Sequence, residues 1–269
     1  MILILILMMM GWVAQAQNNN EFTIPLSDPA KRGKLKAHLN YGSITVKGTA
    51  RKDVLVKYNT TKGEDDDNDR HDRKGDSKEG LKRIGGGGLE LEASENGNLV
   101  KVGSDSWNAK TALEIEVPSG MDLKVSTYND GDLIITNIQG EVELTNYNGP
   151  ITALNISGSV VATTYNGDVK ATFDKTTDGA PMSFATYNGD IDLTFPSSVK
   201  ATFKMKTEQG DIYTGFDMNV VSSGPVQKKD TKSGTYKLVI DEWKKGEVNG
   251  GGAEITMRNY NGDISIRKK

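Results

Sequence analysis

Residues 147–168 read YNGPITALNISGSVVATTYNGD and contain the phrase Tyr-Asn-Gly twice, 18 positions apart. Closely related phrases occur at residues 128–132, 187–190 and 260–263, with a looser version at 40–43. Asn-Gly is the dipeptide that most readily adopts a positive φ, so each phrase predicts a corner. Glycines at positions 131, 140, 149, 158 and 167 add a nine-residue period, which is the length of one short strand and one turn.

The residues between corners alternate in character. The second and fourth positions after a corner glycine are apolar or small, as in Val142 with Leu144 and Val160 with Ala162. Alternation with a period of two is typical of half-buried β-strands. The same parity places the corner tyrosines on the outside; they are Tyr128, Tyr147, Tyr165, Tyr187 and Tyr260.

These patterns predict an all-β, single-domain β-solenoid. Stacked rungs of fixed length bury a continuous core in which each coil contacts only its neighbours. Two nine-residue sides make an 18-residue coil, so Gly131, Gly149 and Gly167 are expected to stack at one corner. An Asn-Gly corner can also close an antiparallel hairpin, which leaves a β-sandwich or meander as the alternative fold.

The amino-terminal residues predict export. An apolar run of about 13 residues, shorter than the roughly 20 that span a bilayer as a helix, is followed by the small-x-small pattern Ala14-Gln15-Ala16. Residues 1–16 are therefore interpreted as a signal peptide. The mature chain 17–269 is expected in the periplasm, at the cell surface or secreted, with no transmembrane span.

The mature chain divides into segments of different character within one solenoid domain. We expect the strands of 21–60 to cap the stack, and the charged, glycine-rich segment 61–88 to form a loop. Regular repeats occupy 113–217, and a hairpin around Asn96-Gly97 precedes them. Residues 218–252, which include Trp243, are interpreted as an inserted hairpin, and 253–269 as the final rung.

A family resemblance rests on the order of several motifs. These are Val117-Pro118-Ser119-Gly120-Met121-Asp122-Leu123-Lys124-Val125, the Asn-Gly-Asp rungs, the segment 248–255, and Asn261-Gly262-Asp263-Ile264. Together they resemble the bacterial putative-adhesin family of β-solenoid domains, over roughly residues 113–269. The resemblance implies an exported β-solenoid and supplies no catalytic or binding residues.

Composition argues against several classes of protein. The formal net charge is −3 with both signs dispersed, whereas nucleic-acid binding requires a concentrated basic face. The chain has no cysteine and only two histidines, His38 and His71, so neither a Cys-His nor a Ser-His-Asp site can be argued. We predict no catalytic residues, no cofactor and no enzyme activity.

Three groups of acidic residues are candidate metal or catalytic sites. The run 64–72 lacks the glycine and glutamate of an EF-type calcium loop, so a solvated loop is the preferred interpretation over weak calcium binding. The aspartates after the corner glycines form a row interrupted at Pro150, and hydrogen bonding to the turns explains them better than a metal; they are Asp132, Asp168, Asp190, Asp211 and Asp263. Glu208 beside Asp211, with Lys204 and Lys206 nearby, comes closest to a carbohydrate-active enzyme site.

The five corner tyrosines are the candidate surface binding stripe. A row of aromatic side chains can contact sugar rings or a protein, but it can also be a structural ladder that stabilises the corners. The sequence predicts a non-catalytic binding or scaffold module resembling an adhesin, with an envelope polysaccharide, a matrix component or a protein as partner. A carbohydrate-active enzyme and a purely structural envelope component are the alternatives.

Overall fold

The computed structural model describes residues 20–62, 91–222, 226–229, 236–239 and 243–269, and these form 21 β-strands. The predicted signal peptide 1–16 lies outside the described residues, and so does the predicted charged loop 61–88 except for Thr61 and Lys62, which belong to β3. The strands are β1 Glu21–Pro25, β2 Lys34–Thr49, β3 Asp53–Lys62, β4 Glu92–Asn96, β5 Leu99–Ser104, β6 Ala109–Pro118, β7 Asp122–Asn129, β8 Leu133–Thr136, β9 Glu141–Asn146, β10 Ile151–Thr163, β11 Val169–Thr176, β12 Met182–Ala185, β13 Ile191–Phe195, β14 Ala201–Lys206, β15 Ile212–Thr214, β16 Val220–Ser222, β17 Val226–Lys229, β18 Tyr236–Val239, β19 Lys244–Val248, β20 Ala253–Arg258 and β21 Ile264–Lys268.

The chain is a β-solenoid with two facing walls. Wall 1 has the strand order β4-β5-β2-β7-β9-β10-β12-β20-β14-β19-β16. Wall 2 has the order β1-β3-β6-β2-β8-β10-β11-β13-β21-β15. The long strands β2 and β10 contribute one half to each wall, so the walls join into a single 19-stranded sheet.

Neighbouring rungs pair in parallel, which confirms the solenoid over the sandwich. Glu141 of β9 pairs with Ser159 of β10, an offset that equals the predicted 18-residue coil. Later rungs are longer, since Val161 pairs with Ser183, 22 positions further on. Parallel pairing between successive coils requires the chain to return to the same wall each time, which a hairpin meander does not do.

Alternation along each strand builds the core between the walls. In β9 the exposed and buried residues alternate strictly, with Val142, Leu144 and Asn146 inside. Phe173 and Phe195 from neighbouring rungs of wall 2 stack within the core, with ring centroids 4.8 Å apart. The buried side chains of both walls form one continuous apolar cluster, so core burial holds this cysteine-free chain together.

The corner glycines stack as predicted, and close contact explains why they are glycines. A Cβ added to Gly149 would lie 2.2 Å from the carbonyl oxygen of Gly131, and one added to Gly167 would lie 2.3 Å from that of Gly149. Both have a φ near the upper limit of the positive region, 150° and 149°. A side chain at either position would collide with the backbone of the rung before it.

The stack does not follow the order of the chain. From one end to the other the rungs are 99–118, 34–49, 122–136, 141–158, 159–176, 182–195, 253–268 and 201–214. Two rungs are therefore inserted between rungs that are otherwise consecutive in the sequence. We call these two, 34–49 and 253–268, the interleaved rungs.

Each interleaved rung corrects a sequence-based expectation. The sequence predicts 34–49 among the capping strands, but β2 pairs with β5 and β6 on one side and with β7 and β8 on the other. The sequence predicts 253–269 as the final rung, but β20 and β21 lie between β12 and β13 on one side and β14 and β15 on the other.

Antiparallel strands cover most of the stack ends. β3 and then β1 cover wall 2 beside β6, and β4 covers wall 1 beside β5 through the predicted hairpin at Asn96-Gly97. At the other end, β19 and β16 cover β14.

The segment 218–252 contains a hairpin of β17 and β18. Trp243 follows that hairpin and lies near Lys204, whose Nζ is 4.8 Å from the ring centroid. Within the described ranges, no helix is long and apolar enough to cross a membrane.

Candidate functional site: the corner ladder

The five corner tyrosines stack into one continuous column. The order is Tyr128, Tyr147, Tyr165, Tyr187 and Tyr260, with successive ring centroids 4.7, 5.1, 4.9 and 4.6 Å apart and interplanar angles of 3° to 6°. Each tyrosine is exposed, as parity predicted, with 39–45% of its surface accessible. The ring spacing matches the distance between neighbouring strands, so the parallel register of the rungs is what aligns the rings.

The inner faces of the stacked rings contact one another rather than solvent. The column therefore presents ring edges and phenol hydroxyls along its length. Trp107 closes one end by contacting Tyr128 edge-on, with ring centroids 5.2 Å apart at 80°. A sugar or peptide approaching the middle of the column meets hydroxyl groups and edges, because the faces that aromatic stacking would use are already paired.

The other end of the column is less enclosed. The rung beyond Tyr260 carries Glu208 at the equivalent position, since Gln209 pairs with Asn261. A groove of about 290 Å³ lies here, lined by Thr164, Ala185, Thr186, Tyr187, Glu208, Arg258, Asn259 and Tyr260. At this end of the tyrosine column, an aromatic ring lies together with charged groups of both signs.

An asparagine column runs beside the tyrosines. After the first member, the side-chain Nδ2 of each asparagine donates to the Oδ1 of the asparagine in the rung before it in the stack, at 3.4, 2.8, 2.7 and 2.7 Å. The members are Asn129, Asn148, Asn166, Asn188 and Asn261. Each inner member donates and accepts at once, so the amides lock neighbouring corners together. The tyrosine and asparagine columns together form the corner ladder.

A buried polar row lies directly inside the corner ladder. Thr164, Thr186 and Thr207 donate to the carbonyl oxygens of Gly149, Gly167 and Gly262, at 2.9 to 3.0 Å. Thr127, Asn146 and Asn259 make the equivalent bond in their rungs. These bonds satisfy glycine carbonyls that would otherwise be buried beside the apolar core.

The aspartates behave as turn residues. The carboxylates of Asp168, Asp190 and Asp263 each accept the backbone N–H of the aspartate in the next rung, at 2.8 Å. The order in space is Asp168, Asp190, Asp263, Asp211, because the interleaved rung 253–268 enters between two others. In the part of the chain that the structure describes, no three His, Asp or Glu side chains gather as a metal site. The acidic run 64–72 lies outside it.

The acidic residues that come closest to a catalytic site in the sequence have separate partners in the structure. Glu208 forms an ion pair with Lys206 at 2.8 Å, and Lys204 forms one with Glu254 at 3.8 Å. Asp211 accepts a 3.4 Å hydrogen bond from the hydroxyl of Tyr213. The charge of Asp211, and then that of Asp263, raises the pKa of Tyr213. His38 is held by Ser126 and Asn40, each at 2.8 Å.

The sequence predicts the tyrosine column but neither the asparagine column nor the contact of Trp107 with Tyr128. The sequence pattern indicates the asparagines only as corner formers, although their recurrence beside each tyrosine is a signal that they could also pair with one another. Trp107 follows β5 outside any repeated phrase, so the sequence offers no signal for its contact with Tyr128.

Comparison with known proteins gives one family and one solved structure. The family model described as Toastrack DUF4097 matches residues 6–267. A crystal structure of a putative cell adhesion protein from Clostridium sporogenes is 12% identical, with a TM-score of 0.45, and the alignment covers 93% of this chain and 100% of that one. No curated protein matches this sequence.

Proposed function

This chain belongs to the Toastrack DUF4097 family, and from that premise and its architecture we propose that it is an exported, non-catalytic, adhesin-like binding or scaffold module of the cell envelope. The observation that carries the proposal is the corner ladder. Stacked rings, paired amides and hydrogen-bonded aspartates tie successive rungs along one corner, and this produces a stiff rod with a regular outward face. A rod of this kind holds partners at fixed spacing without any chemistry of its own.

The surface proposed for binding is the outer edge of the tyrosine column and the groove at its Tyr260 end. Phenol hydroxyls along the column can exchange hydrogen bonds with the hydroxyls of an envelope polysaccharide or with a matrix protein. The groove adds Arg258 and Glu208, which can orient a polar ligand beside the Tyr260 ring. Ligand sites of this type combine aromatic surface with a few placed polar groups.

Two facts favour binding over a carbohydrate-active enzyme. Glycosidases use two carboxyl groups that flank one bond, and one of them must be free to carry a proton. Here Glu208 is paired with Lys206, and Asp211 accepts a hydrogen bond from Tyr213. A glycan array probed with the mature chain 17–269 tests the proposal, and the retained glycans should remain chemically intact.

Two matched variants, probed on the same array, test where on the protein the glycans bind. Tyr260→Ser should weaken glycan retention at least about tenfold, because removal of one hot-spot aromatic costs about 2 kcal/mol. Tyr213→Ser removes an exposed tyrosine outside the column and should leave retention unchanged. Equal loss in both variants, or cleavage of a retained glycan, would refute the proposed site and activity. Absence of any retained ligand would favour a purely structural component.

A further inference from the structure

Asparagine followed by glycine is the sequence in which a side-chain amide is most easily lost. The backbone nitrogen of the glycine can attack the asparagine side-chain carbonyl, because glycine has no Cβ to obstruct the five-membered ring that forms. The chain contains this dipeptide six times, at Asn96, Asn148, Asn166, Asn188, Asn249 and Asn261. Ring closure requires both a mobile side-chain amide and a glycine N–H that is free of a hydrogen bond.

At four of the six positions, the hydrogen bonds of the corner ladder leave neither a mobile side-chain amide nor a free glycine N–H. The N–H groups of Gly149, Gly167, Gly189 and Gly262 each donate to a carbonyl of a neighbouring rung, at 2.7 to 3.0 Å. The amides of the preceding asparagines are bound to one another in the asparagine column. The attacking N–H and the amide that it would attack are therefore both engaged in hydrogen bonds within the same corner.

The two remaining positions differ from each other. The Asn249 amide donates to the carbonyl oxygens of Ser197 and Val199, at 3.0 and 2.7 Å, so its side chain is fixed. Asn96 is exposed at the tip of the hairpin between β4 and β5. Across the described ranges its amide has no hydrogen-bond partner, and neither does the N–H of Gly97. A Cβ placed on Gly97 would meet no atom within 4 Å, so the turn has open space around it.

We propose that Asn96 is a site of spontaneous covalent modification, and that the corner ladder protects the four corner asparagines from the same reaction. The Gly97 nitrogen forms a bond to the Asn96 side-chain carbonyl carbon as the carbon–Nδ2 bond breaks. Ammonia leaves with the proton from the Gly97 N–H, and a cyclic imide remains. Water then adds to either imide carbonyl and opens the ring to aspartate or isoaspartate, with no oxidant or reductant involved.

The position of Asn96 gives the modification a structural effect. The neighbouring Glu95 accepts hydrogen bonds from the N–H groups of Ser27 and Asn98, at 3.1 and 2.8 Å. Asn98 in turn binds the backbone of Asp28 and Lys34. Isoaspartate adds one carbon to the main chain inside this clamp, so the clamp should loosen at the end of the stack while the rungs remain paired.

Incubation of the full chain in mildly alkaline buffer, followed by peptide mass spectrometry, tests the proposal. In the folded protein, Asn96 should convert about tenfold faster than each corner asparagine or more, because at least two hydrogen bonds must open before a corner can react. In denaturant, Asn96 and the corner asparagines should convert at comparable rates. The variant Asn96→Gln, at an exposed turn, should fold normally and abolish the fast phase.

The outcomes are distinct. If the corner asparagines convert as fast as Asn96 in the folded chain, the ladder does not protect them and the proposal fails. If Asn96 stays intact in the folded chain but converts in denaturant, the turn rather than the corners is protected, and the proposal again fails. A Tyr165→Ala variant adds a check, since weakening of the ladder should accelerate conversion of Asn166 and leave that of Asn96 unchanged.

Discussion

The side-chain amide of Asn261 donates a 2.7 Å hydrogen bond to Oδ1 of Asn188, which lies 73 positions earlier in the chain. The bond is close in length to the 2.8 Å bond from Asn166 to Asn148, which are 18 positions apart. A rung from a remote segment therefore continues the corner ladder with no change of register. The repeated phrase thus specifies a place at the corner, whereas it does not specify which rung is the neighbour.

The alternation of buried and exposed residues can be tested at adjacent positions of β9. Leu144 is 1% exposed in the core, so Leu144→Asp should destabilise the fold by more than about 4 kcal/mol or prevent folding. Glu143 points outward and pairs with Lys124 at 2.6 Å, so Glu143→Gln should cost about 1 kcal/mol or less. Denaturant titration measures both values, and equal losses would contradict the assignment of faces.

Close stacking of the corners can be tested with two alanine substitutions. Gly167→Ala should cost about 3 kcal/mol or more, because its Cβ would lie 2.3 Å from the Gly149 carbonyl oxygen and its φ is unfavourable. Gly120→Ala is the control, since a Cβ there meets nothing within 4 Å, and it should change stability by less than about 0.5 kcal/mol. Thermal unfolding compares them; a Gly167→Ala protein as stable as the control would be inconsistent with stacked corners.

The tyrosine column should contribute measurably to stability. Tyr165 stacks on Tyr147 and Tyr187, so Tyr165→Ala should cost about 1–2 kcal/mol, while Tyr165→Phe should retain the stacking. Tyr213 is 53% exposed and outside the column, so Tyr213→Ala should have a smaller effect. Denaturant unfolding of the three variants decides whether stacking, rather than the mere presence of a tyrosine, stabilises the corners.

The hairpin clamp predicts a pH effect of defined sign. Hydrogen bonds from the backbone N–H of Ser27 and then that of Asn98 hold the pKa of Glu95 below its ordinary value of 4.5. The stabilisation by ionised Glu95 is therefore present above pH 4.5 and is lost as the pH falls through the lower, folded-state pKa. Stability measured against pH should show Glu95→Gln less stable than the natural chain at neutral pH, with the difference shrinking in acid. A difference that is constant with pH would contradict this role.

Local patterns predicted the parts of the structure that depend on neighbouring residues. Leu144 and Val160 lie inside and Tyr147 and Tyr165 outside because period-two alternation fixes the face of every strand residue. The glycine corners followed from the nine-residue period. The face of each strand residue and the place of each corner depend only on residues within about 20 positions of one another, so the local sequence pattern is sufficient to predict both.

The interleaved rungs could not be predicted in the same way, because an unpaired edge of one rung accepts any rung with matching corners. Residues 201–214 come next after 182–195 among the predicted repeats, but residues 253–268 lie between them in the stack. One signal was available: the phrase at 207–211 has Glu208-Gln209 where five other corners have Tyr-Asn. A rung that lacks the ladder side chains is suited to the end of the stack, whereas 259–263, with Tyr260 and Asn261, is suited to its interior.

The interleaved rungs also determine how this solenoid can assemble. An array wound in chain order has mostly local contacts, can nucleate in any coil, and loses its outer coils one at a time. Here the segment 253–268 has to close a gap between two earlier coils, and 34–49 fills a second gap whose far side is formed only by residues 99–118. Both steps raise the contact order, so folding should be slower than for a sequentially wound array of the same length. Once both gaps are filled, each interleaved rung ties together coils that are distant from it in the sequence. The end coils therefore cannot detach one at a time in chain order, and the rod should unfold as fewer and larger cooperative units.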